Sequence, residues 1–202
     1  ELERRGHHFA RYADDCNVYV GSIRAGQRVM RLLRSCYDRL KLKVNEAKSA
    51  VADVIGRQFL GYSFWVGPKA TIKRRVADKA MARFKHRIRQ LTRRNRSQSL
   101  SDIIARLRSY LLGWKGYFGL AQTPGIRRRL DQWLRHRLRA IQLKQWKRGK
   151  TQYRELLALG ASTHVARQIA ANSRCWWRNS AKLLNSVLTI SYFDRLGLPR
   201  LS

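Results

Sequence analysis

Phe9-Ala10-Arg11-Tyr12-Ala13-Asp14-Asp15-Cys16-Asn17-Val18-Tyr19-Val20 is the stretch around which the chain is organised. Both flanks of the Asp pair carry aromatic and β-branched residues and read as short strands. Asp favours turns, because its carboxylate hydrogen-bonds to backbone just ahead of it. The stretch therefore predicts a hairpin with two adjacent carboxylates at its tip. A bare Asp-Asp pair at a turn is most often simply solvated. Here it sits in a chain of 44 Lys+Arg against 12 Asp+Glu, with a formal net charge of +32. An acidic tip repels nucleic acid, and a bound divalent metal reverses that. Mg²⁺ takes hard oxygen ligands, with one or two carboxylates plus substrate phosphates the common set. Two such ions about 4 Å apart can stabilise both the attacking and the leaving oxygen of a phosphoryl transfer.

The 202 residues suffice for one or two domains, and 44% of them are hydrophobic, enough to bury a core. The charge points to a polyanionic partner, nucleic acid or an anionic membrane surface. It is unevenly spread. Residues 1–70 hold 13 basic and 7 acidic residues; residues 71–202 hold 31 and 5. No apolar run approaches the roughly 20 residues of a membrane span. The opening Glu1-Leu2-Glu3-Arg4-Arg5 lacks the apolar region of a signal peptide. Cys16, Cys36 and Cys175 are far apart, so neither a zinc site nor a disulfide framework is expected, and a cytoplasmic location fits. A chain that begins with Glu1 and enters a strand almost at once reads as the C-terminal part of a longer polypeptide.

Outward from the hairpin, Arg24 to Leu40 predicts an amphipathic helix, with Val29, Leu32, Leu33, Cys36, Tyr37 and Leu40 on one face. Lys41 to Val44 alternates as a half-buried strand does, and Val51 to Ile55 and Gln58 to Val66 read as two more. Gly67-Pro68 ends that sheet. Three basic helices are expected next. The first runs from about Arg74 to Arg93. The second is announced by Ser99 with Asp102, an acidic variant of the capping box. The third starts near Pro124, suited to a first helical position. Their apolar faces make a small bundle, with Trp114 and Trp133 read as bundle core. The third helix carries Arg127, Arg128, Arg129, Arg135, Arg137 and Arg139 opposite its apolar face. Guanidinium forks match phosphate bidentately, so this face is expected to bind nucleic acid. Asp131 is expected to pair with Arg135 one turn on. Beyond Lys150, short helices are expected over Tyr153–Leu159, Val165–Ala171 and Trp176–Val187. Arg174, Trp176, Trp177, Arg178 and Lys182 could bind DNA or simply dock on the bundle.

The string Phe9 to Asp15 resembles the catalytic hairpin of reverse transcriptases, most closely the Tyr-Ala-Asp-Asp form encoded by group II introns. Asn45-Glu46-Ala47-Lys48-Ser49 resembles a segment that follows the hairpin helix in that family, although on its own it reads equally as a turn with a solvated lysine. Phe59-Leu60-Gly61-Tyr62 resembles the primer grip. Gly113-Trp114-Lys115-Gly116-Tyr117-Phe118 and Leu130-Asp131-Gln132-Trp133-Leu134-Arg135-His136-Arg137-Leu138-Arg139 look like the maturase-specific domain X of group II intron proteins, which is also the polymerase thumb.

The resemblance implies an α+β architecture. Residues 1–70 would be the end of a reverse transcriptase palm, 71–150 a thumb or domain X, and 151–202 a small helical region that binds DNA in some relatives. It implies RNA-directed DNA synthesis, with the primer hydroxyl attacking the α-phosphate of a deoxynucleotide and pyrophosphate leaving. Asp14 would ligate Mg²⁺ and Asp15 ligate or orient it. Tyr12 would lie near the primer end, Leu60, Gly61 and Tyr62 would grip it, and Asn45 and Lys48 would contact the nucleotide. The implied partners are group II intron RNA, an RNA template/DNA primer duplex, deoxynucleotides and target DNA. A third carboxylate and the fingers are expected outside this chain, so this chain alone is expected not to polymerise. The alternative is an RNA-binding splicing cofactor without polymerase activity. A phage-defence relative is disfavoured by the domain X strings, and no endonuclease is expected without paired Cys-x-x-Cys motifs.

Overall fold

Local chemistry sets the elements of a computed structural model that describes residues 1–93, 98–181 and 183–202. Those residues form five strands and eight α-helices in two compact units, Glu1–Val54 and Ile55–Ser202. Small antiparallel sheets with many helices are compatible with the expected α+β class. No helix among the described residues is long and apolar enough to cross a membrane.

The first unit opens with the expected hairpin. Strands β1 (His8–Tyr12) and β2 (Asp15–Tyr19) are antiparallel with Tyr12 opposite Asp15, so the turn is Ala13-Asp14. Helix α1 (Ile23–Arg39) follows close to its predicted bounds. Its N-cap is Ser22, whose hydroxyl accepts from the Ala25 N–H at 3.2 Å. Gly26 is buried in α1; a Cβ there would lie 2.5 Å from a Val51 methyl, so only glycine lets residue 51 approach this closely. The strands expected over 41–44 and 51–55 do not form. Residues 42–45 and 51–53 have no regular secondary structure, and Ile55 makes only a single bridge to Phe64. Alternation is a side-chain signal; a strand also needs a neighbour for its N–H and C=O groups. Here Lys41 takes φ +56°, and Asn45 folds a turn by accepting from the Lys48 and Ser49 N–H groups.

The second unit begins with another departure. Gln58–Val66 is two strands, β3 (Gln58–Phe59) and β4 (Tyr62–Val66), joined by Leu60-Gly61. Both turn residues have positive φ, +50° and +76°, as a two-residue type I′ hairpin requires. Strand β5 (Ile72–Val76) pairs antiparallel with β4, Val66 facing Ile72 and Tyr62 facing Val76. Arg74 is therefore in a strand, and α2 runs Asp78–Leu91 rather than from Arg74. Gln122 closes the outer edge of β5: its N–H donates to the Arg74 carbonyl at 2.8 Å and its side-chain oxygen accepts from the Arg74 N–H at 3.1 Å.

Helix α3 (Leu100–Tyr117) starts on the predicted capping box. Ser99 Oγ accepts from the Asp102 N–H at 3.1 Å, and Asp102 accepts in return from the Ser99 N–H at 3.2 Å. Helix α4 (Pro124–Gln145) starts at Pro124. Then come α5 (Gly149–Ala158), closed by Gly160 at φ +84°, and α6 (Thr163–Ala171). The predicted helix over 176–187 is α7 (Trp176–Ala181) and a 3-10 turn at Leu183–Asn185; Lys182 lies outside the described residues. Helix α8 (Ile190–Arg195), six residues long, lies outside the elements expected from the sequence.

Phe84 and Ile88 of α2, Leu107 and Leu111 of α3, and Leu134 and Leu138 of α4 make the expected three-helix core. The same cluster takes in Leu156, Ile169, Phe193 and Leu201, with Tyr62 packed against it. Tyr62 of β4 and these side chains beyond Lys150 thus pack on the same cluster as α2, α3 and α4.

Candidate catalytic hairpin and nucleic-acid interface

Ala13 holds φ +52° in the hairpin turn, a conformation that costs a non-glycine residue about 1–3 kcal/mol. The Arg11 Nε donates to its carbonyl at 3.2 Å. Asp14 occupies the second turn position and Asp15 opens β2. Tyr12, Asp14 and Asp15 are all exposed. No hydrogen bond or ion pair to another described residue engages either carboxylate. The pair is thus available as hard-oxygen ligands. Among the described residues, no group of three or more His, Cys, Asp or Glu side chains converges as a metal site.

Asn45 and Lys48 are brought together by the turn already described: Asn45 Oδ1 accepts from the Lys48 N–H at 3.2 Å. The Lys48 side chain is exposed. Glu46 between them is held by Arg34 of α1, at 3.0 Å from Nε. No hydrogen bond or ion pair joins Asn45 or Lys48 to Asp14 or Asp15.

Two motifs that are separate in sequence meet in the second unit. The Tyr117 hydroxyl donates to the Leu60 carbonyl at 3.0 Å, and the Tyr62 hydroxyl donates to the Tyr117 carbonyl at 2.5 Å. The Ala77 N–H donates to the Gly61 carbonyl at 2.8 Å. A Cβ on Gly61 would stand 3.2 Å from the Phe118 ring. Phe118 lies 5.3 Å from Tyr62 and 5.0 Å from Trp114, and Trp114 lies 4.5 Å from Phe84. Burial raises the Tyr62 phenol above its ordinary range, so the hydroxyl stays a donor. The Leu60-Gly61 turn is therefore clamped by the C-terminal end of α3, a lock that no single motif announces.

The arginines of α4 do not form one solvent face. Arg128 and Arg129 are exposed. Arg127 turns back to the end of α3, donating to the carbonyls of Phe118, Gly119 and Ala121 at 2.7, 2.9 and 3.2 Å. Those carbonyls lie just past the last residue of α3, where a cation also suits the helix dipole. Arg137 donates to the Thr92 hydroxyl at 3.0 Å, and Arg139 to the Leu188 carbonyl at 2.8 Å. Arg135 and Arg139 are buried. Burial lowers both guanidinium pKa values; Arg135 opposes this for Arg139 in no way but adds to it, bringing Arg139 to about 10, whereas Asp131 partly offsets the effect on Arg135. Asp131 does not pair with Arg135 as expected. It is buried, and its oxygens accept from the Leu201 and Ser202 N–H groups, both at 3.0 Å, and from the Ser202 hydroxyl at 2.9 Å. α4 is surrounded because α7, α8 and the segment after α8 cover its far side, and that covering is invisible in its own sequence. In α7, Trp177 stacks on His136 at 3.7 Å and Trp176 lies under Lys144 at 5.3 Å, so both tryptophans dock on α4.

Residues 81–160 match the family model of the group II intron, maturase-specific domain. The match supports a maturase acting in group II intron splicing, and a maturase domain implies binding to the intron RNA. No curated protein matches the chain. The matched segment reaches from within α2 to the end of α5 and includes the whole of α3 and α4.

The charge of the unit that holds the matched segment is almost entirely uncompensated. Residues 55–202 contain 33 Lys+Arg and 5 Asp+Glu. All five carboxylates are already engaged: Asp78 with Arg75, Asp102 in its cap, Asp131 with the Leu201-Ser202 backbone, Glu155 with Arg154, and Asp194 with Arg200. A surface with that surplus calls for an external polyanion.

Proposed function

We propose that the chain forms part of a group II intron reverse transcriptase and maturase, in which residues 55–202 bind RNA and the Asp14-Asp15 hairpin serves DNA synthesis. The observation that carries the reading is the maturase-specific match over residues 81–160, on a unit whose cations far outnumber its carboxylates. The hairpin adds the second activity. Two adjacent exposed carboxylates without partners among the described residues fit Mg²⁺, which completes its octahedron with waters and substrate phosphates. When bound, the ion supplies positive charge at the phosphate being transferred. Asp14, set in the turn, is the direct ligand; Asp15 ligates or orients. Tyr12 lies opposite Asp15 in the β-ladder, beside the primer end in this reading. Leu60, Gly61 and Tyr62 grip the primer, and Asn45 and Lys48 contact the incoming deoxynucleotide. Target DNA is the further partner of the intron's mobility.

The second reading is a splicing cofactor that binds intron RNA without polymerising. It needs only the maturase-specific match and the cationic surplus of residues 55–202, with no role for the Asp14-Asp15 pair. Primer extension on an RNA template with Mg²⁺ separates the two. The polymerase reading expects extension by a full-length reverse transcriptase that contains this sequence, none by its Asp14→Asn variant, and none by the 202-residue chain alone. Absence of extension by the full-length protein, under conditions where it binds RNA, would leave the splicing cofactor.

A further inference from the structure

β5, α2 and α4 enclose a groove of about 380 Å³, within the roughly 300–1,000 Å³ range of ligand-sized clefts. Its floor is apolar, formed by Met81, Ile126 and Leu130. Its rim is cationic, with Lys85, Arg89 and Arg129. Neither Lys85 nor Arg129 has an ion pair or hydrogen bond to another described side chain. Arg75 and Asp78 also line the groove, but they face each other at 3.4 Å, so Asp78 is offset by its own neighbour.

The Arg89 guanidinium is exposed and lies over the Trp133 ring, 5.8 Å from its centroid, while Arg137 lies 5.4 Å from the same ring. Cation–π attraction to the indole draws the guanidinium to this side of the groove, and its exposure leaves it accessible. Single-stranded RNA recognition uses accessible arginines: unpaired bases stack on their guanidinium planes while phosphates take the cations around them. A continuous duplex cannot present one base to a walled groove. A free anion would use the rim but leave the apolar floor unfilled.

We propose that this groove takes one unpaired RNA nucleotide, its base stacked on Arg89 above the floor and its flanking phosphates on Lys85 and Arg129. The inference rests on the RNA-binding reading and adds that part of the recognition is of an unpaired base rather than of backbone alone. In this arrangement Trp133 is a positioning residue, since it acts through Arg89.

The test compares two short fluorescent RNA hairpins, one with a single unpaired adenosine in its stem and one fully paired, binding to the 202-residue chain at fixed salt. The chain should bind the first about tenfold more tightly. Arg89→Lys keeps the charge but removes the guanidinium plane, so it should abolish the preference while changing affinity for the paired hairpin little. Arg129→Ala should weaken both hairpins together. These side chains are exposed, and circular dichroism checks that the variants fold. Equal binding of the two hairpins by the wild type overturns the nucleotide groove and leaves RNA binding standing. Binding of neither overturns both. Displacement of the bulged hairpin by a poly-glutamate peptide more readily than by paired RNA would assign the groove to an acidic protein segment instead.

Discussion

In the first unit the only buried apolar side chain among the described residues is Val29, whereas in the second an unbroken cluster runs from Val76 through Leu107, Leu138 and Phe193 to Leu201. A two-stranded hairpin is marginal in water on its own, and β1–β2 leaves Phe9, Tyr12 and Tyr19 exposed. The carboxylates are therefore presented by turn geometry, through Ala13 at positive φ, and not by a packed shell. The Leu60-Gly61 turn shows the other solution. It too needs positive φ, but two tyrosine hydroxyls and the Phe118 ring hold it in place. The same backbone conformation is thus held locally in one unit and by distant side chains in the other, so the two turns should respond differently to changes in the surrounding core.

Truncating the two cores sharpens that contrast most. Leu107 is fully buried in α3. Leu107→Ala should destabilise the second unit by about 2–5 kcal/mol through lost transfer energy and a residual cavity. Val29→Ala should cost the first unit only about 1–2 kcal/mol, because fewer buried methyls are lost. Urea unfolding followed by tryptophan fluorescence for the second unit, and amide exchange of α1 for the first, measure each separately. An equal cost at Val29 would mean that the first unit has a packed interior after all.

Asp131 comes next. Its carboxylate accepts three hydrogen bonds from the segment after α8, and the leucine it steadies, Leu201, is fully buried. Asp131→Ala leaves two backbone N–H groups without that acceptor and should cost about 2–3 kcal/mol. Faster exchange of the Leu201 amide is the specific sign. A loss of stability with Leu201 still protected would show that the substitution acts elsewhere in α4.

The limits of the sequence are visible in the same residues. Helices α1 to α4 were legible because three- and four-residue apolar spacing, the Ser99–Asp102 box and Pro124 are local signals. The hairpin was legible for the same reason. The strands expected at 41–44 and 51–55 failed because alternation says which side chains are apolar, not whether another strand lies alongside. Gln58 to Val66 reads as one strand, whereas Leu60-Gly61 is a turn within it. The arginines of α4 misled most. Charge on a helix suggests a solvated face, yet long stems can bury while the guanidinium reaches a distant carbonyl. The Phe118, Thr92 and Leu188 groups that receive them belong to other elements, so only the folded chain identifies them.

Neighbours Arg127 and Arg128 give the finest test, because they share chemistry and sequence position but not surroundings. Arg127 closes three carbonyls at the end of α3, close to the Tyr117-Phe118 clamp on the Leu60-Gly61 turn. Arg127→Ala should therefore cost about 1–2 kcal/mol in unfolding free energy, some of its carbonyls being able to take water instead. Arg128 is exposed, and Arg128→Ala should leave stability within about 0.5 kcal/mol. Its effect belongs to RNA. If it neutralises one phosphate, its loss should make the log–log salt dependence of RNA binding shallower by about 0.7–0.9. Arg127→Ala, with its guanidinium already spent on protein carbonyls, should leave that slope unchanged. A slope change at Arg127 equal to that at Arg128 would mean that the charge of α4 acts as a continuous face towards RNA, and that capping α3 is secondary to it.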